Sequence, residues 1–197
     1  MLNAPVLFFA VAISSFESVL KRVGSRIGRD TIVLDTCSVK ILPARWMKEN
    51  IPSDRFMIAT HPMFGPDSGA HGLKGLPIVM CPVSDSADPR YSTMKDLFSS
   101  MGLDVLEMSA EEHDEEAAYS QGVTHFVGRT LRQMGMKPTP IATQGYRSLM
   151  TIVDQTCNDP LQLFYDLQRY NPYAKEMRLS LQVAIEKVLN ALRREEG

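Results

Sequence analysis

The segment His61-Pro-Met-Phe-Gly-Pro-Asp-Ser-Gly69 carries the sharpest chemical signal in the sequence. A histidine ends an apolar run, Pro62 stiffens its exit, and Gly65, Gly69, Gly72 and Gly75 follow in a flexible loop. That order sets an imidazole at the edge of a sheet beneath a loop able to close. An unperturbed histidine titrates near ~6.5 and accepts a proton at neutral pH. The plain alternative is a histidine that ends a strand without chemical duty. His71, inside the loop, reads as solvent-facing. A second candidate is Asp35-Thr-Cys-Ser-Val-Lys40, in which Ser38 follows an apolar strand. Polar residues at the carboxyl ends of parallel strands are placed to meet ligands, although Ser38 serves equally well as the cap of a following helix. The third cluster is Glu111-Glu-His-Asp114 with His125 beyond it. On a helix, Asp114 and His125 fall nearly in phase, whereas His113 and His125 point roughly 120° apart. With no i, i+4 histidine pair and no nearby cysteine, a metal site is not expected. Glu111 and Glu112 have a sufficient structural reason in the dipole of a helix N-terminus. The sequence contains no G-x-G-x-x-G, no Walker A loop and no G-x-S-x-G elbow.

These side chains need elements to hold them, and the first ~110 residues alternate β-type runs with helical patterns, as in an α/β sheet with crossover helices. Expected strands are Pro5–Ala12, Thr31–Asp35, Phe56–His61, Pro77–Pro82 and Asp104–Glu107. Helices are expected over Phe16–Ile27, Pro43–Asn50 and Pro89–Met101. From Ser109 the character changes. Ser109-Ala-Glu-Glu reads as a capping box opening one long helix to about Gln133. A proline-bearing connector over 135–140 follows, then helices near 144–156, 160–170 and 172–194. The expected division is an α/β domain over 1–108 and an all-helical domain over 109–197. The 197 residues are 44% hydrophobic and 22% charged, with a net charge of -2, which excludes disordered tails and rods and argues against nucleic acid as a partner. Three separated cysteines fit free thiols in a reducing compartment. The apolar N-terminal run is too short to span a bilayer and lacks a basic leader. A cytoplasmic protein without a membrane partner is expected.

Taken in order, four motifs resemble the prephenate/arogenate dehydrogenase family of tyrosine biosynthesis. They are Asp35-x-x-Ser-Val-Lys40, the His61–Gly69 segment, Met108-Ser-x-Glu-Glu-His-Asp114 and Ser120-x-x-x-Thr-His125-x-x-Gly-Arg129. Pro140-Ile-x-Thr-x-Gly-Tyr146 looks like a continuation, nearest the plant-type arogenate branch. The resemblance covers essentially the whole chain. It implies the C-terminal half of a Rossmann-like nucleotide-binding sheet followed by an all-helical dimerisation domain, with NADP or NAD as cofactor and arogenate or prephenate as substrate. The implied reaction transfers a hydride to the nicotinamide, with loss of carbon dioxide and aromatisation. His61 corresponds to the group that takes the hydroxyl proton, and Ser38 to a serine that hydrogen-bonds near that hydroxyl and the nicotinamide. His113, His125, Asp114, Asp67 and Gly65 fall on substrate-side positions, and Ala12-Ile13-Ser14 on a turn that touches the cofactor. Asp114, available to meet an amine, tilts the choice towards arogenate. An arginine that binds the substrate carboxylate in the prephenate branch aligns with Thr151, leaving Arg129, Arg147 or Arg178 as substitutes.

The same resemblance carries a departure. The family opens with a glycine-rich β-α-β portion, and this sequence starts at what resembles the fourth strand. Roughly 60–70 residues, at ~30 per βαβ unit, have no counterpart, so an incomplete cofactor site is expected. The run from Val6 to Ala12 then lies at a sheet edge without the charges or proline that blunt natural edges, and a covering element is expected there. An alternative function is a catalytically silent homologue acting as a dimerising or ligand-binding module. The apolar face of Leu179–Leu189 is expected to pair two subunits, or else to pack within one.

Overall fold

The computed structural model describes residues 2–196, apart from the side chains of Pro66 and Asp67. The chain divides into two compact units, the first reaching Asp114 and the second beginning at Glu115. The break falls later than the expected boundary after residue 108, because His113 and Asp114 are hydrogen-bonded into the first unit.

The first unit is a five-stranded sheet in the order β1-β2-β3-β4-β5. Its strands are β1 (Val6–Phe9), β2 (Ile32–Asp35), β3 (Phe56–Pro62), β4 (Pro77–Pro82) and β5 (Asp104–Glu107). Strands β1, β2 and β3 run parallel. Strand β4 is antiparallel to β3, with His61 opposite Val79, and β5 is parallel to β4. The sheet is therefore mixed, where alternating patterns alone pointed to a parallel one. Both β2 and β3 are buried along nearly their whole length, which explains their near-continuous apolar composition. One face packs Ile32, Leu34, Phe56, Ile58, Ile78 and Met80 against Tyr91, Met94 and Phe98 of α4 (Pro89–Ser100). The opposite face carries Ala59, Val79 and Cys81, packed by Ala44 of α2 (Ile41–Asn50). By strand alternation His61 shares the Ala59 face. Near β1, Phe9, Phe16 and Trp46 form a chain of ring contacts at 5.7 and 6.4 Å.

Strand β1 occupies an edge of this sheet, with Phe8 44% exposed. It is shorter than expected, since Ala12 already serves as the N-cap of α1 (Ile13–Val23). Between β3 and β4 lie a loop and the short helix α3 (Pro66–Gly69), and His71 in that loop is exposed.

Helix α5 (Ala110–Ala117) opens with the anticipated capping box. Glu112 accepts from Ser109 N–H at 2.8 Å, and Ser109 Oγ accepts from Glu112 N–H at 3.1 Å. The expected uninterrupted helix is broken by a π turn over Ala118–Gly122, after which α6 (Val123–Gln133) resumes. The second unit continues with α7 (Gln144–Asn158), α8 (Leu161–Tyr170) and α9 (Ala174–Glu195). Gly128 lets α6 approach α7 closely, because a Cβ there would lie 2.2 Å from Thr156 Oγ1. Along α9, Leu179, Val183, Ile185, Val188, Leu189 and Leu192 are each at least 46% exposed. Among the described residues, no helix is long and apolar enough to cross a membrane.

Candidate active site

Position 61 comes near the end of a buried strand, and the imidazole there is only 2% exposed. Its Nδ1 lies 2.9 Å from Nε2 of His113, which sits in the first turns of α5. His113 Nδ1 in turn lies 2.8 Å from Asp114 Oδ1. Asp114 also accepts from the main-chain N–H groups of Lys40, at 2.6 Å to Oδ1, and Ile41, at 3.0 Å to Oδ2. These donors open α2, whose N-cap residue has no side-chain cap of its own. The Asp114 carboxylate therefore caps a helix distant in sequence and anchors a histidine pair.

The network assigns the protons. An ionised carboxylate only accepts, so His113 Nδ1 carries a hydrogen and, in a neutral ring, its Nε2 is bare. That nitrogen then accepts from His61 Nδ1–H, and Nε2 of His61 is left with a free lone pair. Burial, then the neighbouring His113 and Lys40, hold the His61 pKa well below its ordinary 6.5. A neutral imidazole is what a proton acceptor requires.

Lys40 is fully buried. Its Nζ donates to Asp35 Oδ2 at 2.5 Å and to the Thr60 carbonyl at 2.6 Å. Asp35 also accepts from the N–H groups of Thr60 and Cys37, both at 2.9 Å. Nothing in the sequence reading assigned chemistry to Lys40, Asp35 or Thr60. The available signal was two opposite charges flanking an otherwise uncharged strand exit.

Other expected residues are distributed differently. Ser38 is half-buried just past β2, and α2 begins only at Ile41, so Ser38 does not cap it. Asp114 is fully buried, and both of its oxygens accept main-chain N–H groups, so neither is turned outward towards a substrate amine in this structure. His113 is 2% exposed, with one ring nitrogen against His61 and the other against Asp114. Ile13 turns its side chain into the core, leaving exposed Ala12 and Ser14 at the start of α1. Gly65 is exposed, and the Asp67 side chain lies outside the described residues.

In the helical unit, His125 is 7% exposed, with Nε2 3.6 Å from Asp159 Oδ2 and Nδ1 buried without a partner. Burial lowers its pKa, partly opposed by Asp159. Of the three candidate arginines, Arg147 bonds the Ala142 carbonyl at 2.8 Å and Arg178 bonds Gln168 Oε1 at 2.8 Å. Arg129 donates from Nη2 to the Asp159 carbonyl at 2.8 Å and stacks over Phe164, yet its Nε is buried without a partner. Among the described residues, no three His, Cys, Asp or Glu side chains could hold a metal ion, and the three cysteines are free.

Comparison with known proteins supports one family. The prephenate dehydrogenase nucleotide-binding domain matches residues 1–107, and a TYRAAT1-like C-terminal domain matches 130–197. Arogenate dehydrogenase 2, chloroplastic, of Arabidopsis thaliana is 39% identical over 95% of this chain and 54% of its own length. Arogenate dehydrogenase 1, chloroplastic, of the same plant is 38% identical over 95% of this chain and 30% of its own. The chain thus spans about half or less of these relatives. Among solved structures, Synechocystis arogenate dehydrogenase superposes with a TM-score of 0.72 at 17% identity, covering 98% of this chain and 73% of that one. Aquifex aeolicus prephenate dehydrogenase, in complex with hydroxyphenyl propionate and NAD+, gives 0.71 at 20% identity, over 96% and 68%. These likenesses establish a Rossmann-like fold with a helical domain. With more than half of its length matched by the nucleotide-binding domain, this chain belongs to the prephenate/arogenate dehydrogenase family.

Proposed function

We propose that this chain provides the proton- and substrate-handling part of a nicotinamide-linked dehydrogenase acting on arogenate or prephenate. The observation that carries the reading is the buried line of hydrogen bonds from His61 through His113 to Asp114. Its tautomers leave one basic nitrogen on a neutral ring at the end of β3, which supports reading His61 as the proton acceptor.

The residues present fit the nicotinamide end of NAD or NADP. Ser38 is free of capping duty, Ala12 and Ser14 are exposed at the start of α1, and all follow the carboxyl ends of β1 and β2. The nicotinamide, when bound, supplies the acceptor for the hydride that leaves the ring carbon bearing the hydroxyl. As that carbon–hydrogen bond breaks, His61 Nε2 takes the hydroxyl proton and the carbon–oxygen bond becomes a carbonyl. The imidazolium so formed is stabilised through His113 by the Asp114 carboxylate. The ring carboxylate leaves as carbon dioxide, and the electron pair of its carbon–carbon bond enters the ring. The resulting phenolate oxygen regains the proton from His61, so the protein ends as it began.

In the helical unit, His125, with its unpartnered Nδ1, is the proposed substrate contact, and Arg129 is the proposed partner for a carboxylate. Homodimerisation through the exposed apolar face of α9 is part of the same proposal, as is a reducing, cytoplasmic setting for the free thiols.

The test is titration of the purified chain with NAD and with NADP, then addition of arogenate or prephenate while nicotinamide reduction is followed. Saturable binding is expected, together with reduction that His61→Asn abolishes while cofactor binding persists. Absence of saturation with either cofactor, or reduction that survives His61→Asn, overturns the reading.

A further inference from the structure

The ladder between β2 and β3 pairs Ile32 with Phe56, Val33 with Met57 and Leu34 with Ile58. Thr60 and His61 lie beyond it, and on that side other bonds take its place. Asp35 Oδ1 accepts the Thr60 N–H at 2.9 Å, and Lys40 Nζ donates to the Thr60 carbonyl at 2.6 Å. The Thr60 hydroxyl donates to the Asp35 main-chain carbonyl. The Asp35–Lys40 pair therefore grips both polar groups of the residue that precedes His61. At the other end of the relay, the main-chain N–H of the same Lys40 donates to Asp114.

A buried ion pair is weak evidence of stabilisation, because desolvation offsets its attraction and apolar replacements of similar volume often serve as well. The position of this pair calls for a different role. We propose that Lys40, held by Asp35, is a positioning residue: it fixes the Thr60–His61 peptide and Asp114 together, so that His61 is confined to the tautomer with its proton on Nδ1. This rests on the reading of His61 as the proton acceptor. A displacement of about an ångström between reacting groups costs on the order of 10²-fold in rate, which sets what such a clamp is worth. The Lys40 charge acts in the same direction, adding to burial and His113 in keeping the ring neutral.

The test is histidine 15N NMR on the full chain. Lys40→Met alone strands a buried carboxylate, so the principal variant is Asp35→Asn/Lys40→Met, which removes both charges, with Lys40→Arg beside it. In the parent protein, His61 is expected with Nδ1 in the protonated 15N range and Nε2 in the bare range. In the double variant the two signals converge towards a tautomer mixture while His71 and His125 stay in place. In turnover, kcat falls about 100-fold with KM nearly unchanged. A folded double variant that keeps the parent His61 signals overturns the proposal. So does a double variant that unfolds while Lys40→Arg leaves His61 unchanged, and so does unfolding of both, since the pair then serves the sheet alone. Because the tautomer is read without turnover, an inactive parent chain would sink the dehydrogenase reading and leave the positioning result standing.

Discussion

Replacing Asp114 by asparagine tests the core of the site, because one carboxylate accepts from three N–H groups on two helices. They are Lys40 N at 2.6 Å, Ile41 N at 3.0 Å and His113 Nδ1 at 2.8 Å. Asparagine offers one acceptor oxygen, and its amide nitrogen must face a donor. With the oxygen at the Oδ1 position, Lys40 N and His113 Nδ1 keep a partner while Ile41 N meets an N–H. The reverse orientation places two donors against the amide, so the first is favoured. The loss is then one helix-capping bond, about 1 kcal/mol, plus the charge assistance of the remaining bonds and an unpaired buried donor, about 2 kcal/mol. Asp114→Asn should thus lower stability by roughly 3 kcal/mol, a fall in Tm on the order of 10 °C. Urea unfolding followed by circular dichroism measures this. Histidine 15N NMR of the same variant should show His113 still protonated on Nδ1 and the His61 tautomer retained. If the proposed reaction holds, any loss of turnover in this variant would then come from the missing negative charge behind His61, not from a misplaced proton. Stability within about 0.5 kcal/mol of the parent, the range of an ordinary surface change, would refute the reasoning.

Two further outcomes follow from the same geometry. His61 and His125 are both held below 6.5 in the folded chain, so the unfolded chain binds protons more readily. Their contribution is fully present above about pH 6.5 and is lost as pH falls into the lowered range, at up to ~1.4 kcal/mol per pH unit for each histidine. Denaturation at a series of pH values should give a shallower acid-side slope for His61→Gln, and an unchanged slope would count against a buried neutral ring. In α6, Gly128→Ala gains about 1 kcal/mol of helix propensity but drives a methyl to 2.2 Å from Thr156 Oγ1. Overpacking costs about 1–3 kcal/mol, so chemical denaturation should show net destabilisation that Thr156→Ala in the same background largely relieves.

How much of this could be read from residue order depends on the range over which each feature is encoded. Strands β2, β3, β4 and β5 were legible because apolar runs between turn signals are local. The placement of His61 near the end of β3 was legible for the same reason. The direction of β4 was not, since alternating β and helical patterns are the same for a parallel and a reversed strand. The π turn at Ala118–Gly122 was hidden too: the helical pattern continues through it, and one widened turn leaves no compositional mark. The edge position of β1 followed only from the family resemblance, and its end was overestimated because Ala10–Ala12 are as apolar as the strand itself.

The site shows the same division more sharply. Motif order pointed to His61, His113 and Asp114 as members of one constellation, but it treated the last two as substrate contacts. Their hydrogen-bond partners are set by a meeting of α5 with the start of α2, across more than seventy positions of sequence. No periodicity encodes that meeting. The physical clue was available in another form: Asp35 and Lys40 are charges flanking a buried strand exit, and full burial of a charge is tolerated only where a partner waits. Once the partner of Lys40 is sought, the Thr60 carbonyl and the Asp114 carboxylate both follow, and with them the reason His61 presents a bare nitrogen. The chemically decisive feature of this chain is therefore not the histidine that the motif displays but the buried charges that fix which of its two nitrogens is free.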